Sequence, residues 1–169
     1  GRRSILELGP TLVYCFWHSD ETVRNADLQV SFTPASYKEG LQAWLDDEPG
    51  FTLATWQQRP ESLGYVRAKS SDPFAKPLIQ PNYLAHEEDR RVLLAGIKLS
   101  RRLMNSKPLA PYFDYEGYPG VQIQNDDELL DVARQRSTTV YHLMGTCRMA
   151  PATDPTGVVD GQMRVHGMQ

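Results

Sequence analysis

Histidines 18, 86, 142 and 166 and cysteines 15 and 147 are the side chains of this 169-residue chain best suited to move a proton or act as a nucleophile near neutral pH. A neutral imidazole, with a pKa of about 6.5 before any perturbation, is a suitable general base. Composition alone does not rank the four histidines. A histidine drawn at random is usually a surface or structural residue, so rank has to come from context. A Cys147 nucleophile served by His142 is one reading, but five residues separate them and no third group is identifiable to orient the base. A free cysteine more often packs as a small apolar residue. Asp154 and Asp160 with His142 or His166 form an irregularly spaced metal set, and aspartates in turns are common for local hydrogen-bonding reasons. Trp17, Trp44, Trp56 and the tyrosines are candidates to line a pocket for an alkylammonium or an aromatic alcohol, against the plainer reading as core or sheet residues. No C-x-x-C, P-loop, G-x-S-x-G or G-x-G-x-x-G motif occurs.

The elements that must hold these groups are legible from periodicity. Residues 27–33 alternate, with Leu28, Val30 and Phe32 on one face, and predict a half-buried strand. Residues 51–57 and 64–69 repeat the pattern. The segment 73–81 carries three prolines and fits an edge strand or an extended connection. Residues 87–105 switch to a helical period: Leu93, Ile97 and Met104 share a stripe, and Val92, Leu99 and Leu103 widen it. Glu87, Glu88 and Asp89 open that helix while Lys98, Arg101 and Arg102 come late, an order that suits the helix dipole. Asn125 is a good N-cap for a second, shorter helix, with Glu128 at the capping-box position and Leu129, Leu130 and Ala133 facing the core. A short β-rich run, 137–142, a Pro/Gly-rich loop at 150–157 and an extended stretch, 158–165, follow. Strands first and helices later argue against a doubly wound parallel sheet. The expectation is one α+β domain, residues 1–169, with a mainly antiparallel sheet and helices packed on one face.

With 18 basic and 21 acidic residues the formal charge is −3, so nothing points to a nucleic-acid footprint or a polybasic membrane patch. The longest apolar run, Leu12 to Trp17, is far too short to span a bilayer. No signal-peptide pattern opens the chain. Two cysteines make no disulfide framework; whether Cys15 and Cys147 pair stays open, as does the compartment, with the cytoplasm as the default.

One stretch is far more specific than any of these features. The run TTVYHLMGTCRMAPATDPTGVVDGQMRVHG, residues 138–167, resembles the closing signature of the glucose-methanol-choline (GMC) oxidoreductases. The matching residues are Tyr141, His142, Gly145, Thr146, Cys147, Arg148, Met149, Val158, Val159, Asp160, Arg164, Val165, His166 and Gly167. Upstream, residues 59–84 resemble the family's run from Pro-x-Ser-x-Gly-x-Val to Asn-Tyr. The likeness covers nearly all of residues 25–169 and is nearest to choline dehydrogenases and related alcohol dehydrogenases.

The resemblance implies the substrate-binding domain of an FAD-linked enzyme that oxidises the CH–OH group of an alcohol, choline or another primary alcohol, to the aldehyde. It implies His142 as the catalytic base, with hydride passing to flavin N5, and Tyr141 and His142 both close to the isoalloxazine. It implies a structural role for His166. His18 and His86 are expected to be plain residues, His86 just preceding a helix. Leu143 and Ala150 stand where the family usually has Pro or Gly and Gly. The family's nucleotide-binding half and its final strand, with a second catalytic His or Asn, have no counterpart in the sequence. The expected partners are therefore an alcohol and the FAD-binding half of the same protein. The chain alone is expected to be inactive and to hold no FAD, and an unpaired sheet edge favours self-association. The alternative is a binding module that kept the fold and lost the reaction.

Overall fold

A computed structural model describes residues 11–38 and 44–168. The described residues divide into two compact units, one within Gly1–Ser62 and Tyr83–Thr138, the other within Leu63–Asn82 and Thr139–Gln169. The fold is α+β with antiparallel sheets, as the element order predicts.

The first unit holds a three-stranded antiparallel sheet, β1 (Val13–Trp17), β2 (Leu28–Thr33) and β3 (Thr52–Gln57), in the order β1-β2-β3. Its register aligns Cys15, Val30 and Thr55 across the strands, and Trp17, Leu28 and Gln57 likewise. Residues directly opposite share a face, and this face receives helix α1 (Glu87–Met104). Leu28, Val30, Val92 and Leu99 form the core, with Cys15, Leu53 and Leu103 packed against it. Leu28, Val92 and Leu129 are fully buried; each is worth about 1.5–3 kcal/mol relative to exposure. Phe32, Phe51 and Phe113 extend the apolar region in a chain, with ring centroids 5.5 Å and 6.5 Å apart.

The seam of α1 is displaced from the stripe read in the sequence. Its buried residues are Asp89, Val92, Gly96, Leu99 and Met104, while Leu93 and Ile97 are half-buried. Gly96 sits where the helix comes closest to the sheet: a Cβ there would run into Thr55 Oγ1 and Leu28 Cδ1. Asp89 is buried because its two carboxylate oxygens accept the N–H groups of Glu61 and Ser62, each at 2.9 Å. Ser62 Oγ accepts the N–H of His86 at 3.0 Å. His86 caps α1, its Nδ1 accepting the N–H of Glu88 at 3.2 Å. Helix α2 (Asp126–Arg136) begins at Asn125, whose Oδ1 accepts the N–H of Glu128 at 2.8 Å, and buries Leu129, Leu130 and Ala133.

Two polar clusters tie loops to α1. Arg91 is forked onto Glu88 and donates to Ser19 Oγ at 2.9 Å, and Ser19 donates its N–H and hydroxyl to the buried Asp27. Arg101 binds Glu116 through Nε and Nη2, both largely buried, and Gly120 closes the turn by donating its N–H to Glu116. No helix among the described residues is long and apolar enough to cross a membrane.

The second unit contains the hairpin β4 (Tyr65–Arg67) and β5 (Leu78–Gln80). The proline-bearing segment thus forms a strand only at its end. The β-rich run expected at 137–142 is not a strand, and 158–165 is paired only at isolated bridges of Val159 and Val165. The apolar run 12–17 is β1, a strand whose alternation the sequence hides because both of its faces are apolar.

The close approach at Gly96 generates a prediction. Gly96→Val should lower stability by about 1–3 kcal/mol through overpacking against Thr55 and Leu28, read as a fall in the urea unfolding midpoint; an unchanged midpoint would show that the helix does not bear on the sheet there.

Candidate active site

The second unit carries the signature segment. Its backbone is knit by a few long-range bonds. Arg148 O accepts the N–H groups of Val158 at 2.8 Å and Val159 at 3.3 Å, Ala150 N donates to Val159 O at 3.0 Å, and His166 N donates to Val158 O at 3.0 Å. Ala150 is buried, and its methyl lies where Gly157 leaves room: a Cβ on Gly157 would stand 2.8 Å from it. His166 Nε2 is 2.9 Å from Ala150 O, so that nitrogen carries the proton and donates it. His166 thus ties the segment back onto Ala150.

The aspartates are structural as well. Asp154 accepts the N–H of Thr156 at 2.9 Å, the Thr156 hydroxyl at 2.7 Å and Arg148 Nη1 at 2.7 Å. Those bonds, Arg148's first, hold its pKa at about 2. Asp160 accepts Arg164 Nε at 2.8 Å and the N–H groups of Gln162 at 2.8 Å and Arg164 at 3.0 Å, which keep its carboxyl below the usual range. Among the described residues no group of three or more His, Cys, Asp or Glu is placed to hold a metal, so the Asp154/Asp160/histidine metal set is not assembled. Cys15 and Cys147 are both free thiols. Cys147 is exposed and shares no hydrogen bond with His142 among the described residues, which leaves no ready nucleophile–base pair.

Tyr141 and His142 lie on an exposed strip. Residues 140–149 are all exposed; Tyr141 keeps 74% of its surface and Met144 90%. From Val140 to Cys147 the strip bears no formal charge apart from what His142 can acquire. Val140, Tyr141, Leu143, Met144 and Met149 are the large apolar side chains left exposed along it. Tyr141 has φ 61°, the left-handed region that a bulky residue occupies only under constraint. Gly145 has φ 91° with nothing near its absent Cβ, so glycine is needed there for conformation alone. The His142 ring has no hydrogen-bond partner among the described residues. Trp17 and Trp56 do not line one pocket: the register places Trp17 opposite Leu28 and Trp56 opposite Gln29, on opposite faces of the sheet.

The C-terminal-domain pattern of the GMC oxidoreductases matches residues 60–169. The chain belongs to the GMC oxidoreductase family. It is 40% identical over 120 residues to an alcohol dehydrogenase [acceptor] of Pseudomonas putida, covering 71% of this chain and 21% of that protein. It is 35% identical over 156 residues to an oxygen-dependent choline dehydrogenase of Staphylococcus saprophyticus, covering 91% of this chain and 28% of the relative. This GMC chain thus spans about a quarter of the length of such relatives. Its fold is shared with pyridoxine 4-oxidase from Mesorbium loti, with a TM-score of 0.79 and 24% identity over 92% of this chain and 30% of that one. Formate oxidase of Aspergillus oryzae RIB40 gives a TM-score of 0.72 at 22% identity over 87% and 26%.

The Asp154 contacts generate the second prediction. Its folded pKa lies below the ordinary 3.8, so its stabilising bonds are complete above 3.8 and are lost as pH falls through about 2. Carboxyl-carbon NMR should show Asp154 titrating near 2, and Arg148→Ala should move the midpoint up toward 3.8. A midpoint unmoved by the substitution would show that Arg148 does not hold this loop.

Proposed function

We propose that this chain is the C-terminal, substrate-binding portion of a longer FAD-dependent enzyme that oxidises the CH–OH group of an alcohol, choline or another primary alcohol, to the aldehyde, with His142 as general base. The observation that carries the reading is the state of the imidazole. His166 is committed to Ala150 O and His86 to the cap of α1, whereas His142 stands exposed, without a protein partner among the described residues, beside the constrained Tyr141. His18 is exposed too, but it lies outside the family match at 60–169.

The strip fits a flat, largely apolar ring system. Tyr141 and His142 would hold the flavin from this side, with Leu143 and Met144 adding apolar cover. FAD, when bound, supplies the acceptor for the hydride that leaves the alcohol carbon. His142 removes the hydroxyl proton onto a ring nitrogen, which makes the oxygen's lone pair available to form the carbonyl. The names of the relatives, an alcohol dehydrogenase and a choline dehydrogenase, support the substrate class.

The test uses the enzyme that contains this chain together with its nucleotide-binding half, loaded with FAD and screened against choline and other primary alcohols. His142→Ala should lower turnover about 10²–10⁴-fold, with flavin content and melting temperature unchanged. Turnover within a few-fold of the parent would remove His142 from this role, and no oxidation of any alcohol by the parent would favour the non-catalytic module. The 169-residue chain by itself should purify without a flavin absorbance band; a yellow preparation would contradict that. The apolar strand β1, with Val13, Tyr14, Phe16 and Trp17 exposed, supports self-association of the chain on its own, which size-exclusion at two concentrations would read.

A further inference from the structure

Between residues 139 and 147 the described structure records a single hydrogen bond: the N–H of Tyr141 donates to Thr139 Oγ1 at 3.0 Å. No strand or helix reaches this stretch. Whatever fixes the direction of His142 locally must act through that contact and through the backbone dihedrals beside it. A threonine hydroxyl that accepts the N–H two residues on closes a compact turn. Here the turn pins the peptide plane ahead of Tyr141, whose φ of 61° is a conformation a tyrosine would otherwise leave. The next residue is His142. A return of Tyr141 to negative φ would swing the chain that follows and re-aim the imidazole.

We propose that Thr139 is a positioning residue for His142: its hydroxyl oxygen fixes the peptide plane through which the chain enters Tyr141 and thereby sets where the imidazole that follows is presented. The oxygen of Thr139 is needed as an acceptor only; its methyl group is dispensable. This inference rests on the base reading of His142 and deepens it. Thr139 is half-buried and makes no other side-chain hydrogen bond among the described residues, so its hydroxyl has no competing structural use there.

The experiment compares Thr139→Val, which keeps the shape and removes the acceptor, with Thr139→Ser, which keeps the acceptor and removes the methyl, in the FAD-loaded enzyme. Thr139→Val should lower kcat by roughly 10–100-fold, the scale of a reacting group misplaced by about an ångström, with KM nearly unchanged, while Thr139→Ser should stay close to the parent. The second readout is independent of turnover. In crystal structures of the holoenzymes the Tyr141 N–H should stay on the residue 139 hydroxyl in the parent and in Thr139→Ser, and the Val140–Tyr141 peptide plane should turn in Thr139→Val. If the valine variant fails to load flavin, Thr139→Ala replaces it, with the same expected losses. Parental kcat and an unmoved Val140–Tyr141 peptide plane in Thr139→Val, alongside an inactive His142→Ala, would overturn the role of Thr139 and leave the base intact. Full turnover in His142→Ala would instead overturn the base, and Thr139 would have nothing to position.

Discussion

Asp27, Asp89, Asp154 and Asp160 each turn a carboxylate onto main-chain N–H groups, and the loops of the molecule depend on those contacts. An ionised carboxylate accepting N–H bonds makes interactions roughly twice as strong as neutral ones. It also satisfies donors that no ladder or helix reaches. In the first unit, Asp27 and Asp89 are nearly inaccessible, and both lie against α1: Asp89 is part of the helix, and Asp27 is linked to it through Ser19 and Arg91. In the second unit, where regular structure is sparse, Asp154 and Asp160 do the same for two consecutive turns, each with an arginine on the outer side. The acidic residues of the signature are thereby consumed as scaffold.

The histidines divide by the same accounting. A ring nitrogen already engaged by a backbone group is committed to one tautomer or one protonation state. His86 must keep Nδ1 as an acceptor to cap α1, and His166 must keep Nε2 as a donor to Ala150. Protonation at Nδ1 would cost His86 its cap bond, and loss of the Nε2 proton would cost His166 its bond to Ala150. His142 loses none among the described residues. The segment around it is built for presentation rather than packing: one turn, a tyrosine and a glycine at positive φ, and apolar side chains facing outward.

Much of this was legible in the sequence because it follows from period and charge. The alternation of 27–33 and 51–57 gave two adjacent strands, and the acid-to-base order of 87–105 and the cap at Asn125 gave both helices. The true seam of α1 was hidden because its centre is Gly96 and one end is Asp89, neither of which registers as apolar. Ser137 to His142 reads as strand by residue type, yet strand propensity needs a partner to pack against, and none among the described residues pairs with it. The left-handed backbone of Tyr141 has no signature in residue type, since tyrosine is among the residues least suited to it. His142 itself was found only through the long motif around it; nothing in its own spacing separates it from the other three.

The exposed apolar surfaces bear on how the site is organised. Leaving side chains such as Tyr141, Leu143 and Met144 in water forgoes roughly 1.5–3 kcal/mol for each large one that could be buried. The chain's buried carboxylates are satisfied while these side chains stay uncovered, and the chain spans about a quarter of the length of its relatives. The Thr139 turn closes over three consecutive residues and needs no covering surface, so under the proposed role the backbone leading into His142 is set locally. Its surroundings would then be completed by whatever covers the strip. If His142 is the base proposed, this order costs little conformational freedom when its environment becomes dry, which is the condition under which positioning contributes most to rate.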